Sequence, residues 1–152
     1  MSDNDVKIIN HSITRLLARR EHSQHELVSK LALKGLDRNL LKQQIALFAE
    51  KDIQSDKRFV EAFIRHRALK GQGLKRIQVE LQQHNIDEIT VSNAFAESET
   101  DFAETAIQAY RKKYGSKPIQ DWQDKQKRMR FLQYRGFNHE QIRLALKGES
   151  DE

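Results

Sequence analysis

The chain has 152 residues, no cysteine, one proline and six glycines, and carries a formal net charge of +5. Without cysteine, neither disulfides nor thiolate metal sites hold the fold, and the wealth of Leu, Ala, Gln, Glu, Lys and Arg favours helix over sheet. At 38% hydrophobic and 32% charged residues there is too little apolar material for one thick core, and no apolar run approaches the ~20 residues that span a bilayer. The start, Met1-Ser2-Asp3-Asn4-Asp5, is acidic and polar, unlike a signal peptide, so a cytoplasmic protein is expected.

Taken in chain order, the elements fall into three similar units. In the first, Ile9 and Ile13 stand at i and i+4 on one helical face. Ser23-Gln24-His25-Glu26 opens a second helix as a capping box, with Ser23 at the N-cap and Glu26 reaching back from N3. Gly35-Leu36-Asp37 then stops that helix: Gly35 takes the left-handed conformation, Leu36 packs back on Leu31, and Asp37 caps a third helix whose face carries Leu41 and Ile45. The second unit repeats this with Phe59 and Phe63, then Leu81 before Asn85-Ile86-Asp87, then Val91 and Phe95. The third has Phe102 and Ala106, Leu132 before Gly136-Phe137-Asn138, then Ile142 and Leu146.

The turns recur at intervals of 50 and 51 residues, which leaves room for three short helices per unit. Phe102 lies 34 residues before its turn, whereas Phe59 lies 26 before its own. The extra residues fall around Tyr114-Gly115-Ser116-Lys117-Pro118, which predicts a longer loop between the first and second helices of the last unit. The expected fold is all-α: three tandem three-helix repeats, at residues 5–54, 55–98 and 99–149, forming an elongated, curved array.

Charge is distributed in blocks. From Lys57 to Gln83 there are seven Lys or Arg against two acids, and from Arg111 to Arg135 nine against two. Between them, from Ile77 to Tyr110, there is no Lys or Arg and there are seven acids. Such blocks give a dipolar surface with basic and acidic faces. Part of it serves only solubility. Arg65, Lys70, Lys75, Arg76, Lys127, Arg128 and Arg130, near helix ends and short loops, are the candidates for contact with a partner. Of these, Arg65, Lys75 and Arg76 are expected to converge on one rim.

No catalytic constellation stands out, and no enzymatic activity, cofactor or metal is expected. His22 lies outside the helix that Ser23 opens, so it does not share a helical face with His25 as a zinc pair requires, and His11, His66, His84 and His139 lack ligand spacing. Gly71-Gln72-Gly73 has neither a preceding strand nor a following Lys-Ser or Lys-Thr pair, which makes it a flexible interhelical turn rather than a phosphate loop. Trp122, at a helix start in a basic neighbourhood, is read as a core or seam residue rather than a base-stacking platform.

Two stretches carry a family resemblance. Ser55-Asp56-Lys57-Arg58-Phe59-Val60-Glu61-Ala62-Phe63-Ile64 continues through Arg65-His66-Arg67 and Lys70-Gly71-Gln72-Gly73 to Arg76-Ile77 and Glu80-Leu81, and Arg130-Phe131-Leu132-Gln133-Tyr134-Arg135-Gly136-Phe137 lies near the C-terminus. On these residues, and over about Ile9 to Lys147, the chain resembles the RecX family of bacterial regulators of the RecA recombinase. It departs from the family where Leu74 replaces a frequent Pro and Asn85 a frequent Gly. The resemblance implies a protein that binds the RecA nucleoprotein filament and suppresses its recombinase, ATPase and co-protease activities; the scattered Lys and Arg add an expectation of weak nonspecific DNA binding. A monomer is expected, since no strongly apolar face offers a dimer seam. A helix-turn-helix-like DNA-binding regulator is the alternative, and a plain protein adaptor a third reading. The last helices of the second and third units argue against the DNA regulator: Glu88 to Glu97 holds no cation, and Gln141 to Lys147 only Arg143 and Lys147.

Overall fold

In a computed structural model the described residues, Asp3–Ser150, form helices and connecting turns with no strand among them. Met1 and Ser2, which open the acidic start, lie outside the described residues. The helices are α1 (Asp3–Arg19), α2 (Gln24–Ala32), α3 (Arg38–Glu50), α4 (Asp56–Leu69), α5 (Leu74–Gln82), α6 (Glu88–Glu97), α7 (Phe102–Tyr114), α8 (Trp122–Tyr134) and α9 (His139–Ser150). None is long and apolar enough to cross a membrane.

All three repeated turns have the expected form. Gly35, Asn85 and Gly136 have φ of 86°, 55° and 98°. Leu31, Leu81 and Leu132 are buried. At the third turn the full Schellman pair is present, Gly136 N donating to Gln133 O at 3.0 Å and Phe137 N to Leu132 O at 3.3 Å. The caps follow as read: Asp37 Oδ2 accepts from Leu40 N, Asp87 Oδ1 from Thr90 N, and Asn138 Oδ1 from Gln141 N while Gln141 Oε1 accepts from Asn138 N. The long loop falls between α7 and α8, where the sequence places it.

Two compact units emerge, and they cut across the middle repeat. The first runs to Ala62 and adds Gln82–Ala96; the second takes Phe63–Leu81 and the residues from Glu97 on. In the first unit Ile9 and Ile13 of α1, Leu27 and Leu31 of α2, and Leu41 and Ile45 of α3 close a core of nearly inaccessible side chains. Each contributes about 1.5–3 kcal/mol of burial free energy. A polar clamp ties the α1–α2 corner to the α3–α4 turn: Gln54 Nε2 donates to His22 O at 3.1 Å and to Asp56 Oδ1 at 2.9 Å, and Gln24 N donates to the same carboxylate oxygen at 2.9 Å. Arg58 spans Glu21 Oε2 at 3.0 Å and Asp52 Oδ1 at 2.9 Å. Asp56 and Arg58, from the first of the two stretches that carry the resemblance, therefore hold architecture.

Ser23 Oγ accepts from Glu26 N at 3.1 Å, but Glu26 does not complete the box. Its carboxylate is gripped by Arg20, Nη1 to Oε1 at 3.0 Å and Nη2 to Oε2 at 2.6 Å, because a bidentate guanidinium fork binds a carboxylate more strongly than one neutral amide does. Burial pushes the Glu26 carboxyl up, yet the Arg20 hydrogen bonds and charge hold it below the usual range.

In the second unit α7 and α9 pack most extensively, with α8 against both. Their core holds Ala106, Ala109, Tyr110, Leu132, Phe137, Ile142, Ala145 and Leu146. Gly71-Gln72-Gly73 is not the flexible turn expected. Gly71 N donates to Ala68 O at 2.9 Å and Gln72 N to Arg67 O at 3.1 Å, a second Schellman stop, which ends α4. Gly73 is buried against the α8–α9 turn: its N–H donates to Arg135 O at 2.7 Å, and Lys75 N donates to Gly136 O at 3.3 Å. Gly73 has no side chain to cap α5, so the carbonyl of Gly136 takes that role. The two sequence stretches that carry the resemblance meet here, backbone on backbone.

Candidate interaction surface

In the second unit the end of α4, the outer face of α7 and the end of α8 enclose a groove of about 680 Å³. Its cations come from three places: Arg65 and Lys70 from α4 and its stop, Lys112 and Lys113 from α7, and Arg135 from the end of α8. Helix α7 is built to present them. Asp101 caps it by accepting from Ala103 N and Glu104 N, and Arg111, Lys112 and Lys113 occupy its last turn, so its charges run with the helix dipole. Arg135 is oriented by donating Nη1 to Lys70 O at 3.2 Å, and it lies 5.0 Å from the centre of the Phe131 ring. Gly71 gives it room, since a Cβ there would stand 3.1 Å from Arg135 Nη1.

The apolar part of the lining is Ala68, Leu69, Ala109 and Phe131, with Leu69 at the edge of the groove. Leu69 is 87% exposed. Glu104 is the one carboxylate of the lining, and it accepts from Gln108 Nε2 at 2.8 Å. Among the described residues no ion pair joins Arg65, Lys70, Lys112 or Lys113 to an acid. The groove is therefore positively charged, and its charge is not cancelled locally.

The sequence candidates separate accordingly. Arg65 and Lys70 line the groove, whereas Lys75 and Arg76 lie outside its lining. Arg76 instead shares Glu80 with Arg67, at 3.6 Å and 3.2 Å, while Lys75 is exposed near the start of α5. Lys127 and Arg130 are exposed on α8. Arg128 must be corrected from a contact candidate to a structural residue, being 3% exposed. It donates Nη1 to Tyr110 Oη at 2.8 Å and to Lys117 O at 2.9 Å, Nη2 to Pro118 O at 3.2 Å, and pairs with Asp124 at 3.1 Å, which pins the long loop. Its planar fork supplies more directed donors than a surface role needs. Trp122 is likewise corrected: it is 72% exposed, neither core nor seam. Lys112, Lys113 and Arg135 also line the groove, and the basic block from Arg111 to Arg135 contains them without singling them out.

His22 is 2% exposed and makes no metal cluster; among the described residues no group of His, Asp or Glu suits a metal ion. Its Nε2 accepts from Lys30 Nζ at 3.2 Å, since an ammonium only donates, and so Nδ1 carries the proton and donates to Arg20 O at 3.0 Å. Burial pushes its pKa below the ordinary 6.5, partly offset by the Arg20 carbonyl.

Tandem three-helix repeats with a basic groove define a helical-repeat protein. Comparison with known proteins sharpens this. Residues 55–94 match the second three-helix domain of RecX and residues 99–146 the third. The chain is 36% identical over 138 residues to the regulatory protein RecX of Vibrio campbellii, covering 91% of this chain and 89% of that one. It is 38% identical over 136 residues to that of Vibrio vulnificus, covering 90% and 89%. The chain belongs to the RecX family of regulatory proteins. The crystal structure of RecX from Lactobacillus salivarius superposes with a TM-score of 0.76 at 16% identity, covering 99% of this chain and all of that one, which shows the shared fold.

Proposed function

We propose that this chain is a negative modulator of RecA: as a cytoplasmic monomer it binds the RecA nucleoprotein filament and suppresses recombinase, ATPase and co-protease activities in DNA repair and the SOS response. The observation that carries the reading, alongside family membership, is the uncancelled basic groove of the second unit. Opposite charge on a filament speeds encounter and fixes orientation. Several modest contacts along the repeats then add to an affinity that neither free DNA nor free RecA provides. Suppression requires no covalent step, since occupying the filament surface is enough to obstruct turnover.

The test is a titration of the chain against single-stranded DNA, RecA alone and the assembled filament, beside an assay of DNA-dependent ATP hydrolysis. The filament should bind tightest, and hydrolysis should fall as it saturates. Binding to DNA alone should be weak and fade steeply with salt, as counterion release requires. Equal affinity for DNA and filament at ~0.15 M salt, where the Debye length is about 8 Å, would overturn the reading in favour of a DNA-binding regulator.

A further inference from the structure

The groove is more than a basic patch, because apolar side chains, Leu69 at its edge among them, stand beside its cations. We propose that it receives an acidic, amphipathic protein segment, with carboxylates on Arg65, Lys70, Lys112 and Lys113 and an aliphatic side chain over Leu69. This rests on the function proposed above only in assigning the segment to the protein component of the filament.

Two features choose protein over nucleic acid. A single strand gains affinity by stacking bases on accessible aromatic rings. The one aromatic ring of the lining, Phe131, is already engaged: Tyr114 meets it edge-on at 5.7 Å, Lys113 Nζ lies 5.8 Å from its centre, and the Arg135 guanidinium 5.0 Å. The second feature is Leu69, held 87% exposed among cations by the stop at Gly71. A sugar–phosphate backbone would leave that side chain wet, whereas an amphipathic segment covers it while pairing its acids with the surrounding cations. The groove also has a polarity, since Glu104 stands toward the N-terminal part of α7 and Lys112 and Lys113 in its last turn. An acidic residue of the segment would therefore be excluded near Glu104, which orients the occupant.

The test uses the full chain and three fluorescent probes: a peptide of Glu-Glu-Leu-Leu repeats, the same peptide with Ser for each Leu, and oligothymidylate. The Leu-containing peptide should bind, and the Ser version should bind at least about tenfold more weakly, a difference of about 1.4 kcal/mol. Leu69→Asp should weaken the Leu peptide by a similar factor without altering oligothymidylate binding, and Lys112→Glu with Lys113→Glu should abolish peptide binding. Lys42→Glu, at an exposed position of α3, should change nothing. Equal binding of the two peptides, or competitive displacement of the Leu peptide by oligothymidylate, would overturn the proposal and mark the groove as a phosphate site. Suppression of RecA distinguishes the two levels. A parent chain that fails to suppress hydrolysis refutes the proposed function while the peptide titration still reads the groove; a parent that suppresses, with a folded Leu69→Asp variant suppressing equally, refutes the groove's part in it.

Discussion

Replacing Gly73 by Ala should destabilise the second unit out of proportion to one added methyl. A Cβ at that position would stand 2.5 Å from both the carbonyl carbon and the oxygen of Gly136, and 2.8 Å from Phe137 Cδ1. The first two are backbone atoms in a turn fixed by its own Schellman bonds, so no rotamer change relieves the overlap. The turns must separate by roughly an ångström, which stretches the 2.7 Å bond from Gly73 N to Arg135 O and the 3.3 Å bond from Lys75 N to Gly136 O. Overpacking costs about 1–3 kcal/mol, and losing two backbone bonds adds ~1 kcal/mol each. The sum is about 3–5 kcal/mol. Gly35→Ala is the comparison: at φ of 86° with nothing within 4 Å of its would-be Cβ, it incurs only left-handed strain, about 1–2 kcal/mol. Urea titration followed by circular dichroism and by the fluorescence of Trp122, the sole tryptophan, which lies in the second unit, measures both. A Gly73→Ala midpoint shifted no further than that of Gly35→Ala would refute the backbone-on-backbone account.

Three further outcomes are expected. Leu81→Ala, removing a side chain only 1% exposed, should cost ~2–5 kcal/mol in the same titration. Because burial holds His22 below its ordinary pKa of 6.5, the unfolded chain binds more protons than the folded one below that pH. The stability of the first unit should therefore be complete above pH 6.5 and fall as the pH drops through the lowered folded value, and His22→Gln should flatten this dependence. Arg128→Ala should cost about 3–5 kcal/mol and expose residues 115–121 to rapid amide exchange, with Arg128→Lys restoring little, because an ammonium cannot reach Tyr110, Lys117, Pro118 and Asp124 together. Unchanged exchange in that loop would show that something else holds it.

How much was legible in the sequence depended on how local the cause was. Helix stops and caps are decided within about six residues, so Gly35, Asn85 and Gly136, and the Asp and Asn caps after them, could be read directly. The repeat pattern puts Val91 and Phe95 on a buried face like their counterparts, yet both are only partly buried. Composition by blocks located basic surface but not its arrangement. Arg128 and Arg130 stand two apart in the same block, and their helical phase sends one among Tyr110, Tyr114 and Asp124 and leaves the other in solvent. Nothing in the order of Lys and Arg distinguishes them until the partners on α7 are known. The meeting of Gly73 with Gly136 is further still from local rules, since residues more than sixty positions apart decide it.

That meeting also explains why one repeat tolerates Asn where another has Gly. The turn cassette asks only for a left-handed residue, and at position 85 a φ of 55° lies where Asn is readily accommodated. Gly136 has φ of 98°, and a Cβ there would stand 2.6 Å from the backbone N of Arg76. The same cassette is thus used twice over in the third repeat: it stops α8, and it offers its carbonyl to the start of α5. A helix start capped from outside its own turn does not depend on the residue at its first position, so Leu74 can stand where a Pro would otherwise fix the entry. Closing α5 onto the α8–α9 turn also brings the end of α4, with Arg65, Leu69 and Lys70, alongside Lys112, Lys113 and Arg135. The glycines that carried the family resemblance make the groove possible, and the cations that line it determine what enters.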